Sequence, residues 1–541
     1  MRDASPGTRA ADTPLASDGK RTRRLGGSQA RVALLAACAV AVAAFFAACL
    51  RLSGTQPVNS DGANDVLQAW QMLHGNLLLH GWVTTDVSFY TTELPEYMAV
   101  AAGAGLRPEV VHICGALTYV LLVLLAAFVA RGRARGREGV VRALLAAGIL
   151  LAPAPGGAAS ILLLDPDHVG TGVPVLLLML LLDWAPRRWY TPVAAGVLLA
   201  WALVGDPLIL IVGVVPVAAV CLARALPALA RRRGGWYELA LACAAALAVP
   251  AADVADRLIG KLGGFTVQKN PAALVPASVV SANVHWVVRS FLVLFGADVA
   301  GAGGGRNEAF AVVHIAGAAL VVAAVLVAAW RLARSLAAPG RADLVADVLV
   351  VAIVANIAAY VVFYRITYLY AAHEIGPVAS LGAALAGRVF GGPLLRARLV
   401  PALAAGLVCY AVMLGFAAAG SQPPPGNAAV TAWLSRHGLH SGLGPYWQAS
   451  SVTLDSGGAI TVGTLIHHGS ELSPWSWSQD MRIFDPADHT ADFFIGFPGE
   501  PVTPAMARAA FGPPARVYHY QGYTIMVWDK NLLRELDRPY P

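Results

Sequence analysis

The feature that most constrains this chain is a series of long apolar segments separated by short clusters of arginine. Hydrophobic residues make up 57% of the 541 residues and charged residues only 13%, whereas a soluble domain carries roughly 25% charged residues. A helix of about 20 apolar residues crosses the hydrocarbon core of a bilayer. The sequence therefore predicts an α-helical polytopic membrane protein.

Eleven apolar segments are predicted to cross the membrane. They lie near residues 32–50, 109–130, 140–155, 169–183, 190–204, 207–230, 236–254, 309–330, 343–363, 374–388 and 399–419. The segment 284–298 is also apolar, but it is short and contains Arg289, so a re-entrant or interfacial helix is predicted there. A cleaved signal peptide is the alternative for the first segment, although that segment is long for one and no clean small-x-small cleavage site ends it.

The arginine clusters predict how these segments are oriented. Arginines precede the first segment, and further clusters fall in alternate loops, at 131–142, 187–188, 224–233, 331–341 and 388–398. Because loops rich in Lys and Arg stay in the cytoplasm, a multi-pass plasma-membrane protein with a cytoplasmic N-terminus and an extracytoplasmic C-terminal domain is predicted. The basic residues are spread among loops rather than gathered on one face, which argues against nucleic acid as a partner.

Three parts are predicted along the chain. Residues 1–30 are too polar to fold alone and form a disordered cytoplasmic tail. Residues 31–419 form the membrane domain, which includes a long outer loop at 52–108, and residues 420–541 form an exoplasmic α/β domain. That last domain follows a turn-rich spacer and contains a helix-like AVTAWLSRHGL, strand-like ITVGTLI and DFFIGF, and a hairpin centred on Gln521 and Gly522.

The long outer loop begins with the leading candidate for catalysis. In NSDGANDVLQAWQMLHGN, apolar residues recur at helical spacing from Asp61 onward, which predicts an amphipathic helix at the membrane surface. Asp61 at its start has two interpretations. It is either an N-cap, which satisfies free backbone N–H groups, or a general base for a hydroxyl at the membrane interface.

Two further groups on the predicted outer face are candidates for binding. The segment LLLDPDHVGTG places Asp165, Asp167 and His168 within four residues, either as ligands of a metal or phosphate or as a turn with a helix cap. Arg365 and Glu374 lie where the ninth predicted span emerges and the tenth begins. An arginine at that depth needs a carboxylate or an anionic head group, or else it snorkels to the interface.

Other polar and aromatic groups have simpler interpretations. Asp206 is interpreted as a helix cap. The aromatic residues of the C-terminal part stack on sugar rings or pack in the core of a small domain; these are Tyr446, Trp447, Trp475 and Trp477. Asp86 and Glu93 in the first outer loop are interpreted as ligand contacts or as solvated charges.

The first outer loop resembles that of the GT-C superfamily of glycosyltransferases. The resemblance rests on Asp61 just beyond the first span, the helix that ends in MLHGN, and the following GW and FYTTELP segments. The superfamily includes protein O-mannosyltransferases and aminoarabinose lipid A transferases, and the similarity is greatest to a bacterial branch with a C-terminal exoplasmic domain. In better-known families two acids are adjacent, whereas here Gly62 follows Asp61.

This resemblance implies an inverting glycosyltransferase that moves a hexose or pentose from a polyprenyl-phosphate donor to an acceptor hydroxyl. Asp61 is then the base, and Arg365 and His168 bind the donor phosphate. The remaining expected site residues are Asp86, Glu93 and Glu374 as acceptor or auxiliary contacts, and Asp165 and Asp167 as ligands of a divalent cation such as Mg or Mn. The expected partners are the lipid-linked sugar, membrane lipids, and a cell-envelope glycan, lipid or protein acceptor.

Two alternatives to an enzyme remain from the sequence. A secondary transporter would also have many apolar helices, but the long outer loop and the outer domain are unusual for one, and paired broken helices are not visible. A catalytically inactive cell-envelope scaffold of the same fold is the other alternative, and Gly62 in place of a second acid favours it.

Overall fold

The computed structural model describes residues 27–232, 234–268, 273–337, 343–364, 366, 369–420, 427–469 and 471–536. The chain divides into two compact units, residues 1–45 and 46–541, with the division inside the first helix. Most of the predicted N-terminal tail and nearly all of the predicted spacer lie outside the described residues. The predicted domain boundaries therefore stay predictions.

The described residues form mostly helices in the first four-fifths of the chain and a mixed α/β domain after that. The α-helices are α1 (Gly27–Ser53), α2 (Ser60–Leu73), α3 (Leu94–Ala104), α4 (Glu109–Arg131), α5 (Gly136–Leu150), α6 (Gly157–Leu162), α7 (Gly172–Trp184), α8 (Tyr190–Gly205), α9 (Val215–Ala230), α10 (Trp236–Lys261), α11 (Ala277–Leu294), α12 (Gly305–Ala337), α13 (Leu344–Phe363), α14 (Pro377–Arg396), α15 (Val400–Ala418), α16 (Ala428–Arg436), α17 (Tyr446–Asp455) and α18 (Pro504–Phe511). A π-helical turn, Leu210–Val214, leads into α9, and 3-10 helices occupy Leu369–Ile375, Met481–Phe484 and Leu532–Glu535.

The strands are short. They are β1 (Trp82–Thr84), β2 (Thr266–Val267), β3 (Ser441–Gly444), β4 (Thr461–His468), β5 (Glu471–Pro474), β6 (Gln479–Asp480), β7 (Phe493–Gly496), β8 (Arg516–Tyr520) and β9 (Tyr523–Val527).

Nine helices within the described ranges are long and apolar enough to cross a membrane. Two shorter apolar helices, α7 and α8, and the 15-residue α5 occupy three further predicted spans. Every predicted span thus coincides with a helix, because a continuous apolar run leaves the backbone no polar solvent and only a helix satisfies it internally. The prediction of a multi-pass helical membrane protein is confirmed.

Helix α11 contains the segment predicted to be re-entrant or interfacial, and it begins earlier than expected, at Ala277. Its length and composition would allow it to cross a membrane. Just before it, the Val275 N–H donates to the carbonyl of Val362 at the end of α13. At its other end it contacts α6, and it also contacts the 3-10 helix Leu369–Ile375. The re-entrant or interfacial interpretation of this segment therefore stays a prediction.

The C-terminal domain is built on a six-stranded mixed sheet with strand order β5-β4-β3-β7-β9-β8. Strand β3 is parallel to β4 and β7, and the remaining pairs are antiparallel. Strands β8 and β9 form the predicted hairpin, in which Gln521 and Gly522 both have positive φ, as a two-residue turn of this kind requires. Helix α16 and strands β4 and β7 also match the predicted segments, so the α/β prediction is confirmed.

A second, three-stranded sheet joins distant parts of the chain. Strand β1 of the first outer loop pairs with β2, which follows α10, and with β6 of the C-terminal domain. Next to it, the Gln71 amide donates to Asp480 at 2.9 Å. The first outer loop and the C-terminal domain therefore lie on the same face of the membrane domain, in contact with each other.

Candidate functional site

A cavity of about 360 Å³ lies between the membrane domain and the C-terminal domain. Its walls come from α2, the segment that follows β1, the loop before α7, the segment after α13, and the beginning of α17 with the loop before β6. The predicted site residues that line it are Asp61, Asp86, Asp167, His168 and Glu374. These positions span more than 300 residues of sequence, so tertiary folding brings them together.

Asp61 is not the N-cap of its helix. The side chain of Asn59 caps α2 by accepting a hydrogen bond from the Gly62 N–H at 3.0 Å, so the capping interpretation of Asp61 is wrong. The Asp61 carboxylate instead accepts a hydrogen bond from the Tyr446 hydroxyl at 2.5 Å. Burial raises the pKa of Asp61, although the Tyr446 hydrogen bond opposes that shift. Asp61 is therefore a half-buried, positioned carboxylate that is available to the cavity.

The glycine after Asp61 has a steric reason. A Cβ at Gly62 would lie 2.7 Å from a methyl carbon of Val111 and 3.3 Å from the Cβ of Asp165. No larger side chain fits there without displacing its neighbours. No second acid follows Asp61 directly in the sequence, but two other acids lie near it in the structure. Asp65 follows one helical turn later, and Asp165 packs against the helix at Gly62.

His168 is held in a fixed orientation near the cavity. Its backbone has a φ of 51°, which is uncommon outside glycine. Its Nδ1 lies 3.0 Å from a carboxylate oxygen of Asp206, and its Nε2 lies 3.6 Å from Glu374. Burial lowers the pKa of His168, but the carboxylates of Glu374 and Asp206 outweigh burial and raise the pKa to about 10. With these neighbours the imidazole is protonated and can donate a hydrogen bond to an anion.

Asp206 has two roles, of which the sequence indicated one. Its Oδ1 accepts a hydrogen bond from the Leu208 N–H at 2.8 Å, as a cap does. Its Oδ2 bonds His168 and the Thr171 hydroxyl. The side chain is fully buried, so it orients the His168 ring through Nδ1 and does not contact a ligand in the cavity.

The described residues that could hold a metal ion together are His168, His373 and Glu374, whose ligand atoms lie within 4.8 Å of one another. The rings of the two histidines stack with centroids 5.4 Å apart. Asp206 bonded to the far ring nitrogen of His168 is the support that a metal-bound histidine usually has. This cluster differs from the predicted pair Asp165 and Asp167, and the assignment of that pair as ligands stays a prediction.

The other predicted site residues have different positions. Arg365 lies outside the described residues, but its neighbours Tyr364 and Ile366 line the cavity. Asp86 lines it as well, and burial raises its pKa. Glu93 does not line it, since its side chain is buried among protein groups and burial raises its pKa to about 8.

Four aromatic residues that sequence reasoning set aside form one wall of the cavity. The ring of Tyr446 lies 5.0 Å from that of Trp475, and Trp475 lies 6.0 Å from Trp477 at an interplanar angle of 18°. Trp447 continues the wall. The alternation of Trp with Ser in the WSWS segment was an available signal, because it places both tryptophans on one side of an extended chain.

No protein-family model and no curated protein matches this sequence. Among solved structures, the chain is similar to ArnT from Cupriavidus metallidurans bound to undecaprenyl phosphate, with 13% identity over 92% of this chain and 98% of that one and a TM-score of 0.47. It is also similar to an oligosaccharyltransferase from Archaeoglobus fulgidus in complex with Zn and sulfate, with 14% identity over 83% and 67% and a TM-score of 0.44. The AglB oligosaccharyltransferase of that organism with an inhibitory peptide and dolichol phosphate matches with 13% identity over 84% and 69% and a TM-score of 0.43.

Proposed function

We propose that this protein is a membrane glycosyltransferase of the GT-C type, which moves a sugar from a polyprenyl-phosphate donor to an acceptor hydroxyl. The observation that carries the proposal is one cavity in which Asp61, His168 and an aromatic wall face one another. A fixed carboxylate serves as base, a fixed imidazolium stabilises negative charge, and aromatic rings offer apolar faces for sugars.

The proposed reaction is a single displacement at the anomeric carbon. The acceptor oxygen forms a bond to that carbon while the bond from carbon to the phosphate oxygen breaks, and its electron pair leaves with the lipid phosphate. Asp61 takes the proton of the acceptor hydroxyl through the carboxylate oxygen that Tyr446 does not bond. Because burial raises its pKa, Asp61 is a stronger base than an exposed carboxylate. A single displacement inverts the anomeric centre.

His168 is the proposed partner of the departing phosphate. Its contacts with Asp206 and Glu374 keep it charged, so its N–H can offset the charge that develops on the leaving oxygen. Arg365 is proposed as a second partner, since both its described neighbours line the cavity.

A divalent cation is proposed as a cofactor at the same place, in a form of the site in which the cation, rather than a protonated His168, would meet the phosphate. His168, in neutral form, with His373 and Glu374 would hold it, and it would supply Lewis-acid stabilisation of the phosphate. Two imidazoles and one carboxylate suit a metal such as Zn better than Mg, which prefers oxygen ligands.

The cavity is proposed to face the outside of the plasma membrane. The arginine clusters place the loops opposite it in the cytoplasm, and lipid-linked donors then reach it from the outer leaflet. No nucleotide-binding site is needed, because the membrane delivers the activated sugar.

The test is turnover of synthetic polyprenyl-phosphate sugars by the purified protein, measured as release of the lipid phosphate. We expect turnover by the wild-type protein and a loss of at least about 100-fold in Asp61→Asn, the usual range for a general base. The matched control is Asp488→Asn, an exposed acid of the C-terminal domain, with unchanged turnover.

Full turnover by Asp61→Asn would remove Asp61 as the base. Neither turnover nor binding with any donor would overturn the enzyme and favour the transporter or the inactive scaffold, and solute flux in vesicles would then separate those two.

A further inference from the structure

We propose that the acceptor is a neutral saccharide, which binds between Asp65 and Gln68 of α2 and the tryptophans Trp475 and Trp477 of the C-terminal domain. The inference rests on the proposed function and names its acceptor class. Four observations support it: the alignment of polar groups along α2, their free hydrogen-bonding atoms, the aromatic wall opposite, and the charge of the cavity.

The polar groups follow one face of α2. Asp61, Asp65 and Gln68 are spaced by four and three residues, and all three line the cavity, as residues on one side of a helix do. Seven residues of helix extend roughly 10 Å. The polar stripe is therefore longer than contact with a single reacting hydroxyl requires, and it indicates a binding surface that continues past the base.

Two atoms of this stripe have free hydrogen-bonding capacity. Asp65 Oδ2 and Gln68 Oε1 are buried and have no hydrogen-bond partner within the described part of the chain, and their residues are only 4% and 2% exposed. The Gln68 amide nitrogen donates to the Ser478 hydroxyl at 3.3 Å, which fixes the side chain in place. Buried polar atoms are nearly always bonded, so these two are suited to the hydroxyl groups of a ligand.

The opposite wall is aromatic and comes from the C-terminal domain. Trp475 and Trp477 are half-buried, with rings nearly parallel and centroids 6.0 Å apart. The partly positive C–H groups on one face of a sugar ring meet the negative face of an indole. A wall of hydroxyl partners opposite a wall of tryptophans matches the two kinds of surface that a saccharide presents.

The charge of the cavity selects among acceptors. Its described lining includes five carboxyl groups, on Asp61, Asp65, Asp86, Asp167 and Glu374, and two imidazoles, on His168 and His373. The two imidazoles are assigned to the donor phosphate, whereas an acceptor has to approach Asp61, which must be deprotonated to act as the base and would repel phosphate or carboxylate groups. A neutral saccharide avoids the repulsion.

The position of the subsite assigns it to the acceptor rather than to the donor. The donor enters from the bilayer, and His168 and His373 lie at the ends of membrane-domain segments. The tryptophans lie on the C-terminal domain, and Trp475 adjoins Tyr446, which bonds Asp61. A saccharide held there presents a hydroxyl to the base from the side opposite the lipid phosphate.

The experiment is calorimetric binding to the purified full-length protein without any donor. The probes are neutral oligosaccharides (an arabinan, a mannan and a galactan pentamer), an acidic tetragalacturonate, a Ser/Thr-rich peptide, and lipid A in detergent. We expect at least one neutral oligosaccharide to bind, and binding at least tenfold weaker in Trp477→Ala and in Gln68→Leu. Trp433→Ala, which removes a half-buried tryptophan of the same domain outside the cavity, is the matched control and should bind normally.

Three results would overturn the inference: no neutral oligosaccharide binds, the peptide or lipid A binds in its place, or Trp477→Ala and Gln68→Leu bind as the wild type does. Thermal melting of each variant separates lost binding from lost folding. Donor hydrolysis by the wild-type protein, in which water replaces the acceptor, reports on the proposed function independently. Hydrolysis without saccharide binding would reject the acceptor class alone, whereas absence of hydrolysis and of donor binding would reject the enzyme.

Discussion

Two clusters of charged groups lie at opposite ends of the membrane domain, and they differ in the balance of acids and bases. At the end away from the cavity, Arg388 of α14 donates to Asp183 at 2.8 Å and to Asp343 at 2.9 and 3.0 Å. It also donates to the Val129 carbonyl. Its side chain is 6% exposed, and Arg133 lies 3.9 Å from Asp183, so two cations meet two carboxylates in this cluster.

At the cavity the acids outnumber the bases. Burial raises the pKa of Asp65 and of Asp167, and neighbouring carboxylates, Asp165 foremost, raise both further. His168 is the group whose pKa moves in compensation. Some carboxyl groups of this cluster are therefore protonated, or they bind a cation or a hydroxyl-bearing ligand. The Arg388 cluster requires no ligand, because its charges compensate one another.

The difference separates structure from function. A balanced, bonded cluster fixes helices relative to each other, because removing any member leaves a buried charge. An unbalanced cluster costs stability and persists where a site must bind or move protons. Four predictions test this comparison.

The largest effect is expected from Arg388→Ala. Breaking a buried ion pair costs about 3 kcal/mol, and Asp183 would lose its closest cation. We expect a clear fall in the melting temperature of the purified protein, whereas Arg334→Ala, an exposed arginine, should leave it unchanged. An unchanged melting temperature for Arg388→Ala would remove the contrast between the two clusters.

Asp206→Asn should act on function rather than on folding. The asparagine keeps the cap on Leu208 and the bond to Thr171 but removes a charge that raises the pKa of His168. Support groups of this kind typically contribute 10- to 100-fold, so we expect turnover to fall by that factor with little change in melting. Because the pKa of His168 falls, the alkaline limb of the pH–rate profile should move to lower pH. Wild-type turnover would show that His168 needs no support from Asp206.

Tyr446→Phe should lower turnover about tenfold, the effect of one hydrogen bond to a charged group. The Tyr446 hydrogen bond lowers the pKa of Asp61, so its loss raises that pKa. The base must be deprotonated, and the acidic limb of the pH–rate profile should therefore move to higher pH. Tyr518→Phe, on the far strand of the sheet, is the control. A profile that does not move would limit Tyr446 to a packing role.

The smallest effect at neutral pH is expected from Glu93→Gln, because burial raises the pKa of Glu93 to about 8 and it is already protonated. Between its ordinary pKa of 4.5 and about 8 the folded state binds one proton more than the unfolded state. Wild-type stability should therefore fall as pH rises through this window, by at most about 1.4 kcal/mol per pH unit. Melting curves from pH 5 to 9 should show that stability falls less steeply with pH in the variant than in the wild-type protein. Equal slopes would mean that a group other than Glu93 titrates in this range.

Much of the architecture could be predicted because it depends on local patterns. Apolar length identified the spans, and period-2 runs around Gln521 and Gly522 identified the β8–β9 hairpin. Of the site, five predicted residues line the cavity, since polar groups at the ends of spans on one face have few other places to lie.

The parts that prediction missed depend on partners remote in sequence. The sequence around Asp61 leaves both a cap and a base open, because Tyr446, which donates to its carboxylate, is 385 residues away. His373 directly precedes Glu374, but nothing in the local sequence pairs it with His168, and the stacking of the two rings requires two remote segments to converge. The tryptophans gave a signal, but which side of the domain they face depends on how β6 pairs with β1.

The sequence by itself determined that the chain crosses a membrane many times, that a mixed α/β domain follows, and that Asp61 stands at the start of an outer-loop helix. Apolar length and backbone hydrogen bonding depend on residues close together in the chain, so short segments of sequence are enough to predict these properties. Only the tertiary structure decided which carboxylates are paired and which are left free, why position 62 is glycine, and which aromatic rings face Asp61. Those properties depend on contacts between segments hundreds of residues apart, and local patterns carry no information on such contacts.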